Sequence, residues 1–260
     1  VTKRKTSAIR QKESRTGRRY QDNDSKTYYM KESKTIDFTQ AQPKKQTKPL
    51  ELVPQSINQE KYIIALTDSD TDIVVVSGPA GTGKTYLAML AAIKAMRQGD
   101  CDKILLTRPA VAVDDEKHGF LPGDLNQKME PWVRPLFDVL REFYNSKELE
   151  YMIEEQIIEI APLAFCRGRT FKNAFIIADE MQNATPSQIK MLMTRIGEGS
   201  KIIITGDIEQ TDRASKDNGL LDLKARLIKG PVRRISICEF NEKDVRRHQL
   251  IPDILNLYKY

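Results

Sequence analysis

The sequence predicts an α/β fold: a parallel sheet flanked by helices, preceded by a basic tail. Three observations predict it. Short apolar runs recur along the chain without the polar alternation of a sheet that faces water on one side, as in strands covered on both faces. Segments rich in helix formers lie between those runs, as parallel connections require. Residues suited to phosphate and metal chemistry follow the runs directly, at the strand ends where open parallel sheets place ligands.

Charge separates the tail from the body. Residues 1–50 hold 14 of the 42 Lys and Arg residues but 5 of the 36 Asp and Glu, so a chain of net charge +6 divides into a segment of +9 and a remainder of −3. Polar residues dominate this segment with no sustained period, so disorder is expected up to about Pro49, apart from a short extended piece near Thr35–Phe38. The expected organisation is a tail over 1–49 and one domain over 50–260. A basic arm binds phosphate backbones through counterion release, and is equally well a solvated leader.

With 260 residues and 40% hydrophobic content the chain can bury one sizeable core. No apolar run reaches the roughly 20 residues of a bilayer span, and the basic start lacks the apolar stretch of a secretory signal, so no membrane partner is expected. Cys101, Cys166 and Cys238 are widely spaced and form no metal-binding pattern with His118 and His248. The simplest reading is reduced thiols in a cytoplasmic protein.

Taken in order, the body opens with a helix running from Asn58 into Ile63–Leu66 and a polar turn over Asp68–Asp72. An apolar strand from Val74 leads into a glycine-rich turn, and Tyr86–Met96 continues as a helix. Lys103–Thr107 reads as a buried strand, followed by a loop over Asp114–Asp124. Leu125–Tyr144 is helical in pattern, but Pro131 and Pro135 divide it, so the main helix starts at one of these prolines. Trp132 is expected to pack there, with base stacking as the alternative. Strands follow at Ile157–Ile160, Ala174–Ala178, Lys201–Thr205 and Val232–Ile237, with a turn at Arg167–Thr170. Helices are expected from Pro186 to Ile196 with Thr185 as cap, over Gly219–Ile228, from an Asn241 cap to Arg247, and over Pro252–Tyr258.

Three strand ends carry chemistry. Gly78-Pro79-Ala80-Gly81-Thr82-Gly83-Lys84-Thr85 fits G-x-x-x-x-G-K-[ST] between a strand and a helix. Glycines let the backbone approach phosphates, N–H groups at the helix start form an anion nest, Lys84 reaches the β- and γ-phosphates, and the Thr85 hydroxyl meets Mg²⁺. Asp179-Glu180 follows the Ala174–Ala178 run. Asp179 suits Mg²⁺, and Glu180 suits the polarisation of a water that attacks the γ-phosphate, which favours ATP hydrolysis over transfer to another acceptor. Gly206-Asp207-Ile208-Glu209-Gln210 ends a third strand, where the Gln210 amide can bond both the γ-phosphate and the attacking water. Arg108, Arg167 and Arg169 stand at or after strand ends, either to meet nucleic-acid phosphates or to pair with nearby carboxylates.

Together these motifs resemble the RecA-like core of superfamily 1 helicases, and Gln59 then matches the upstream glutamine with which such proteins read adenine. The likeness goes further. Thr107-Arg108-Pro109-Ala110-Val111, Gly119-Phe120-Leu121-Pro122-Gly123-Asp124, Arg167-Gly168-Arg169-Thr170, Asp179-Glu180-Met181-Gln182-Asn183, Leu192-Met193-Thr194-Arg195-Ile196-Gly197 and Asp244-Val245-Arg246-Arg247-His248 look like the PhoH family. The resemblance covers about Gln59 to Tyr260 with every motif in order. It implies a cytoplasmic phosphate-loop ATPase using ATP and Mg²⁺. It also implies a link to RNA or single-stranded DNA as a helicase or translocase, often as a homo-oligomer, hexameric rings included.

Departures touch the nucleic-acid surface rather than ATP binding. The glutamate that usually follows Thr-Arg-Pro-Ala-Val has shifted spacing in Ala112-Val113-Asp114-Asp115-Glu116. Arg246 stands where an apolar residue is usual, Gln249 where a proline is, and Thr211-Asp212-Arg213 departs from Ile-Asp-Leu-Pro. Some relatives carry an N-terminal ribonuclease domain; the tail here, with Asp22, Asp24 and Asp37 its only aspartates, is too short for one, so none is expected. The loop itself lacks a cation for the charge that develops on the γ-phosphoryl group. With room for one RecA-like lobe, a neighbouring subunit is expected to supply an arginine, Arg247 first and Arg213 second. A nucleotide-controlled binding or assembly protein without unwinding activity would share every core motif.

Overall fold

A computed structural model of the chain describes residues 50–109, 134–211 and 217–246. The tail, the Asp114–Asp124 loop, Trp132, Arg213, Arg247 and the helix expected over Pro252–Tyr258 lie outside the described residues. The chain divides into two units, 1–46 and 47–260, and the described fold belongs to the second.

The strands are β1 (Ile73–Ser77), β2 (Lys103–Arg108), β3 (Ile158–Pro162), β4 (Ala174–Ala178), β5 (Lys201–Gly206) and β6 (Ile235–Glu239). They form one six-stranded sheet in the order β3-β2-β4-β5-β1-β6, and every pair is parallel. The helices are α1 (Ile57–Thr67), α2 (Lys84–Gln98), α3 (134–141), α4 (Ser146–Glu154), α5 (Pro186–Met193) and α6 (Gly219–Lys229).

Period-2 geometry sorts the strand residues between two cores. Val74, Val76, Ile104, Leu106, Ile177 and Ile203 pack with Tyr62 of α1, Leu87 and Ile93 of α2, Leu140 of α3 and Leu149 of α4. Val75, Leu105, Ile176, Ile202 and Ile204 face the other way, onto Ile189 and Leu192 of α5 and Leu220 and Leu227 of α6. Both faces are covered, which is why β1 and β4 are buried at all five positions and read as near-continuous apolar runs, broken only by Ser77 at the end of β1. Each such Val or Ile contributes about 1.5–3 kcal/mol relative to exposure, so these two strands anchor the sheet.

Among the described residues the expected elements form, with four main differences. Helix α4 was not expected; Asn145 and Glu148 build a reciprocal capping box that starts it. Helix α5 starts at Pro186 under its Thr185 cap but stops at Met193, because the Phe171 N–H bonds Arg195 O at 2.9 Å and draws Ile196 into a parallel bridge. β6 begins three residues later than Val232: Arg234 takes a left-handed φ of 70° and grips Asp72, so the chain turns before it pairs. The segment capped by Asn241 is a 3-10 turn over Glu242–Asp244, not a helix to Arg247, because the Arg246 N–H is held by Gly81 O at 2.9 Å.

The three cysteines are buried and unpaired in disulfides. Burial pushes the Cys101 and Cys238 thiols up to about 11, which makes them inert packing residues. Among the described residues no helix is long and apolar enough to cross a membrane.

Candidate functional site

The glycine-rich turn joins β1 to α2. Gly78 has φ +147°, and a Cβ there would stand 2.5 Å from Phe240 O, so only glycine fits. Gly83 caps α2 in the left-handed region and has no side chain with which to cap the first helical N–H groups. Those donors open a 15-residue helix toward a cavity of about 260 Å³ lined by Gly81, Lys84, Thr85, Asp179, Glu180 and Gln210, among others. N–H groups at a helix start suit an anion. The Lys84 ammonium folds back onto the turn, donating to Gly78 O at 2.6 Å and Pro79 O at 2.8 Å. Thr82 Oγ1 also donates to Pro79 O, at 2.9 Å.

Two carboxylates enter from β4. Asp179 Oδ1 accepts from Thr85 Oγ1 at 2.8 Å and, by a shorter bond, from Thr205 Oγ1 at the end of β5. The order β4-β5-β1 makes this meeting possible: Asp179 follows β4, Thr205 lies near the end of β5, and Thr85 stands in the first turn of α2, which the glycine-rich turn joins to β1. A hydroxyl and a carboxylate converging beside an anion cradle are hard oxygen donors of the kind Mg²⁺ takes, so these residues fit a magnesium–nucleotide pair.

Glu180 adopts φ 55°, ψ 37°, left-handed for a non-glycine residue. Such conformations concentrate at functional sites. Both oxygens of its carboxylate are engaged: Arg108 Nη2 lies 3.0 Å from Oε1, and Gln182 Nε2 donates to Oε2 at 2.5 Å. Gln182 is 1% exposed. It also donates to Gln210 O at 3.2 Å and accepts from the Asp207 N–H at 3.1 Å, tying Glu180 to the Gly206–Gln210 loop. The Gln210 side chain itself is exposed at the cavity.

Gln59 stands apart from the cavity. It is 4% exposed, donating to Thr82 O at 3.0 Å and accepting from the Gln55 N–H at 2.7 Å. It ties α1 to the glycine-rich turn. A second tie crosses from the other end of the domain: the Arg246 guanidinium donates to Gln55 O, and Asn58 Nδ2 donates to Asp244 Oδ2 at 2.8 Å.

The three candidate nucleic-acid arginines separate. Arg108 pairs with Glu180. Arg169 forms a two-pronged pair with Glu159 and covers the Phe171 ring at 4.7 Å. Arg167 is exposed and has no side-chain partner among the described residues. Sequence reasoning assigned no role to Thr205 or Gln182. A threonine just before Gly206-Asp207 was a usable signal for the first; nothing local marked the second, whose partners lie on another loop.

The model of the PhoH family, described as PhoH-like protein, matches residues 51–259. The chain belongs to the PhoH family. A PhoH-like protein of Synechocystis is 46% identical over 205 residues, 79% of this chain and 61% of that protein. A PhoH-like protein of Bacillus subtilis is 46% identical over 204 residues, 78% of this chain and 63% of its own length. The chain thus spans about three fifths of the PhoH-like relatives it matches. Among solved structures, the Pyrococcus furiosus Hef helicase domain aligns with a TM-score of 0.42 at 14% identity, over 72% of this chain and 39% of that one, too distant a likeness to carry an argument. Family and turn together make this a nucleotide-binding P-loop protein, as the strand-end motifs led one to expect.

Proposed function

We propose that this PhoH-family chain binds ATP with Mg²⁺ and hydrolyses it, coupled to RNA or single-stranded DNA. The observation that carries the reading is the 2.8 Å bond from Thr85 to Asp179 at the mouth of the glycine-rich turn, with Glu180 next in the chain. Bound Mg²⁺ would supply charge to the β- and γ-phosphate oxygens. N–H groups from Pro79–Thr85 would seat the phosphates, proline excepted. Lys84 would exchange the Gly78 and Pro79 carbonyls for phosphate oxygens. Thr85 and Asp179 would hold the metal, with Thr205 fixing Asp179. Glu180 would accept a proton from the attacking water, and Gln210 would orient that water. Gln59 would have to release one of its backbone partners to read adenine.

The finer reading extends to a cytoplasmic homo-oligomer, a ring in which a neighbour's Arg247 faces the γ-phosphate, and to strand separation as the output. Arg108 and Arg167 would meet nucleic-acid phosphates, while Arg169 is held by Glu159. A nucleotide-controlled binding protein without unwinding is favoured over a helicase only in one respect: both Glu180 oxygens are engaged in this state.

The Glu180→Gln protein tests the reading. It should keep labelled-ATP binding with magnesium present and hydrolyse at least ~100-fold more slowly. Full turnover would remove Glu180 from its role, and failure of the unaltered chain to take up ATP would end the proposal. Saturating ATPase without separation of RNA or DNA duplexes would favour the second reading.

A further inference from the structure

The end of β3 carries an exposed aromatic beside an exposed cation. Pro162 leads into a 3-10 turn over Leu163–Cys166, where Leu163 and Cys166 are buried with Ile189 and Leu192 of α5. Phe165 in the same turn points outward and is 56% exposed. Arg167 follows it, also exposed.

A lone exposed apolar residue needs no explanation. Phe165 differs in its surroundings. The two segments that meet here, 163–172 and 186–196, hold Arg167, Arg169, Lys172, Lys190 and Arg195, and neither holds an Asp or Glu. They lie in a body whose own charge is close to balance. The chain also turns the two arginines of Arg167-Gly168-Arg169 to different uses: Arg169 is locked on Glu159 and Phe171, and its backbone O takes Arg195 Nη1 at 3.3 Å. Arg167 is exposed and has no side-chain partner among the described residues.

Position completes the argument. β2 lies between β3 and β4, with Arg108 opposite Pro162 in register and Thr107 opposite Ala178. The Cys166 thiol touches the Thr107 hydroxyl at 3.8 Å. At about 4.8 Å per strand, the Phe165 turn, Arg108 and Glu180 follow one another along one sheet edge.

We infer that Phe165 and Arg167 form a seat for single-stranded nucleic acid, the ring stacking on a base while the guanidinium meets the adjoining phosphate. Base–aromatic stacking is tolerant of sequence, and a flanking cation adds the phosphate contact. The inference rests on the proposed coupling to nucleic acid and names the surface and the residue that perform it.

The test uses the full chain with Mg²⁺ and ATP, fluorescent oligo(U) and oligo(dT), and anisotropy across a salt series. Phe165→Ala should weaken binding roughly 5- to 150-fold without changing the salt slope, and Phe165→Trp should retain it. Arg167→Ala should lower the slope by about 0.7, one phosphate's share on a single strand. Loss with both oligonucleotides marks a seat that stacks any base; loss with one alone supports the seat and assigns its strand. Thermal melting guards against misfolding, and Arg167, being exposed, provides a variant that leaves the core intact. If the unaltered chain binds and both alanine variants bind equally well with unchanged slopes, the seat is wrong and the coupling stands. If the unaltered chain binds neither oligonucleotide, seat and coupling fall together.

Discussion

Arg108, the last residue of β2, holds Glu180, two residues past the end of neighbouring β4, with 3.0 Å between guanidinium and carboxylate. The backbone prepares this contact: the Asp179 N–H bonds Thr107 O at 2.9 Å, so the two strand ends leave the sheet side by side. The pair links the residue proposed to activate water with the sheet edge proposed to meet nucleic acid.

Arg108→Ala should therefore raise basal ATP turnover. The guanidinium occupies lone pairs that would otherwise accept a proton from water. The pair is partly exposed, and such pairs are worth about 0.2–1 kcal/mol, so the rise should be modest, roughly 1.5- to 5-fold. Stimulation by single-stranded RNA or DNA should shrink at the same time. Phosphate release with and without oligonucleotide measures both, and a fall in basal rate would show that Arg108 supports Glu180 rather than restraining it.

Thr205→Val should separate metal affinity from folding. Thr205 is fully buried, and its hydroxyl donates to Asp179 Oδ1. Valine keeps the volume and removes the donor. A hydrogen bond to a charged group contributes about 1.5–3 kcal/mol, so the magnesium concentration giving half-maximal ATPase should rise by roughly tenfold or more. Thr205→Ser should restore most of the loss. An unchanged magnesium titration would mean that Asp179 needs no support from β5.

Acid should weaken the edge of the sheet in a defined direction. Hydrogen bonding from Arg169, helped by Lys103, holds the Glu159 carboxyl below its usual range. A folded-state value below the unfolded one contributes stability above the unfolded pKa, about 4.3, and loses it as pH falls through the folded value. Melting of the unaltered protein and Glu159→Gln should thus differ most near neutral pH and converge as the pH falls through the lowered folded-state value. A gap that persisted into acid would assign the effect to packing instead.

The glycine-rich turn, the Asp179-Glu180 pair, the boundaries of β4 and the Thr185 cap were all legible in the chain, because each is written in a few consecutive residues with a local cause. Helix α4 is marked locally by the Asn145–Glu148 capping box. What only the tertiary structure decided are the partners. Arg108 reaches Glu180 only because β2 is seated beside β4. Thr205 gained its meaning only when β5 came between β4 and β1. The bond from Gln59 to Thr82 O exists only because α1 packs against the turn. The physical reason is common to all three: local propensity and periodicity act over a few residues, whereas strand order and cross-chain hydrogen bonds are set by burying both faces of the sheet at once.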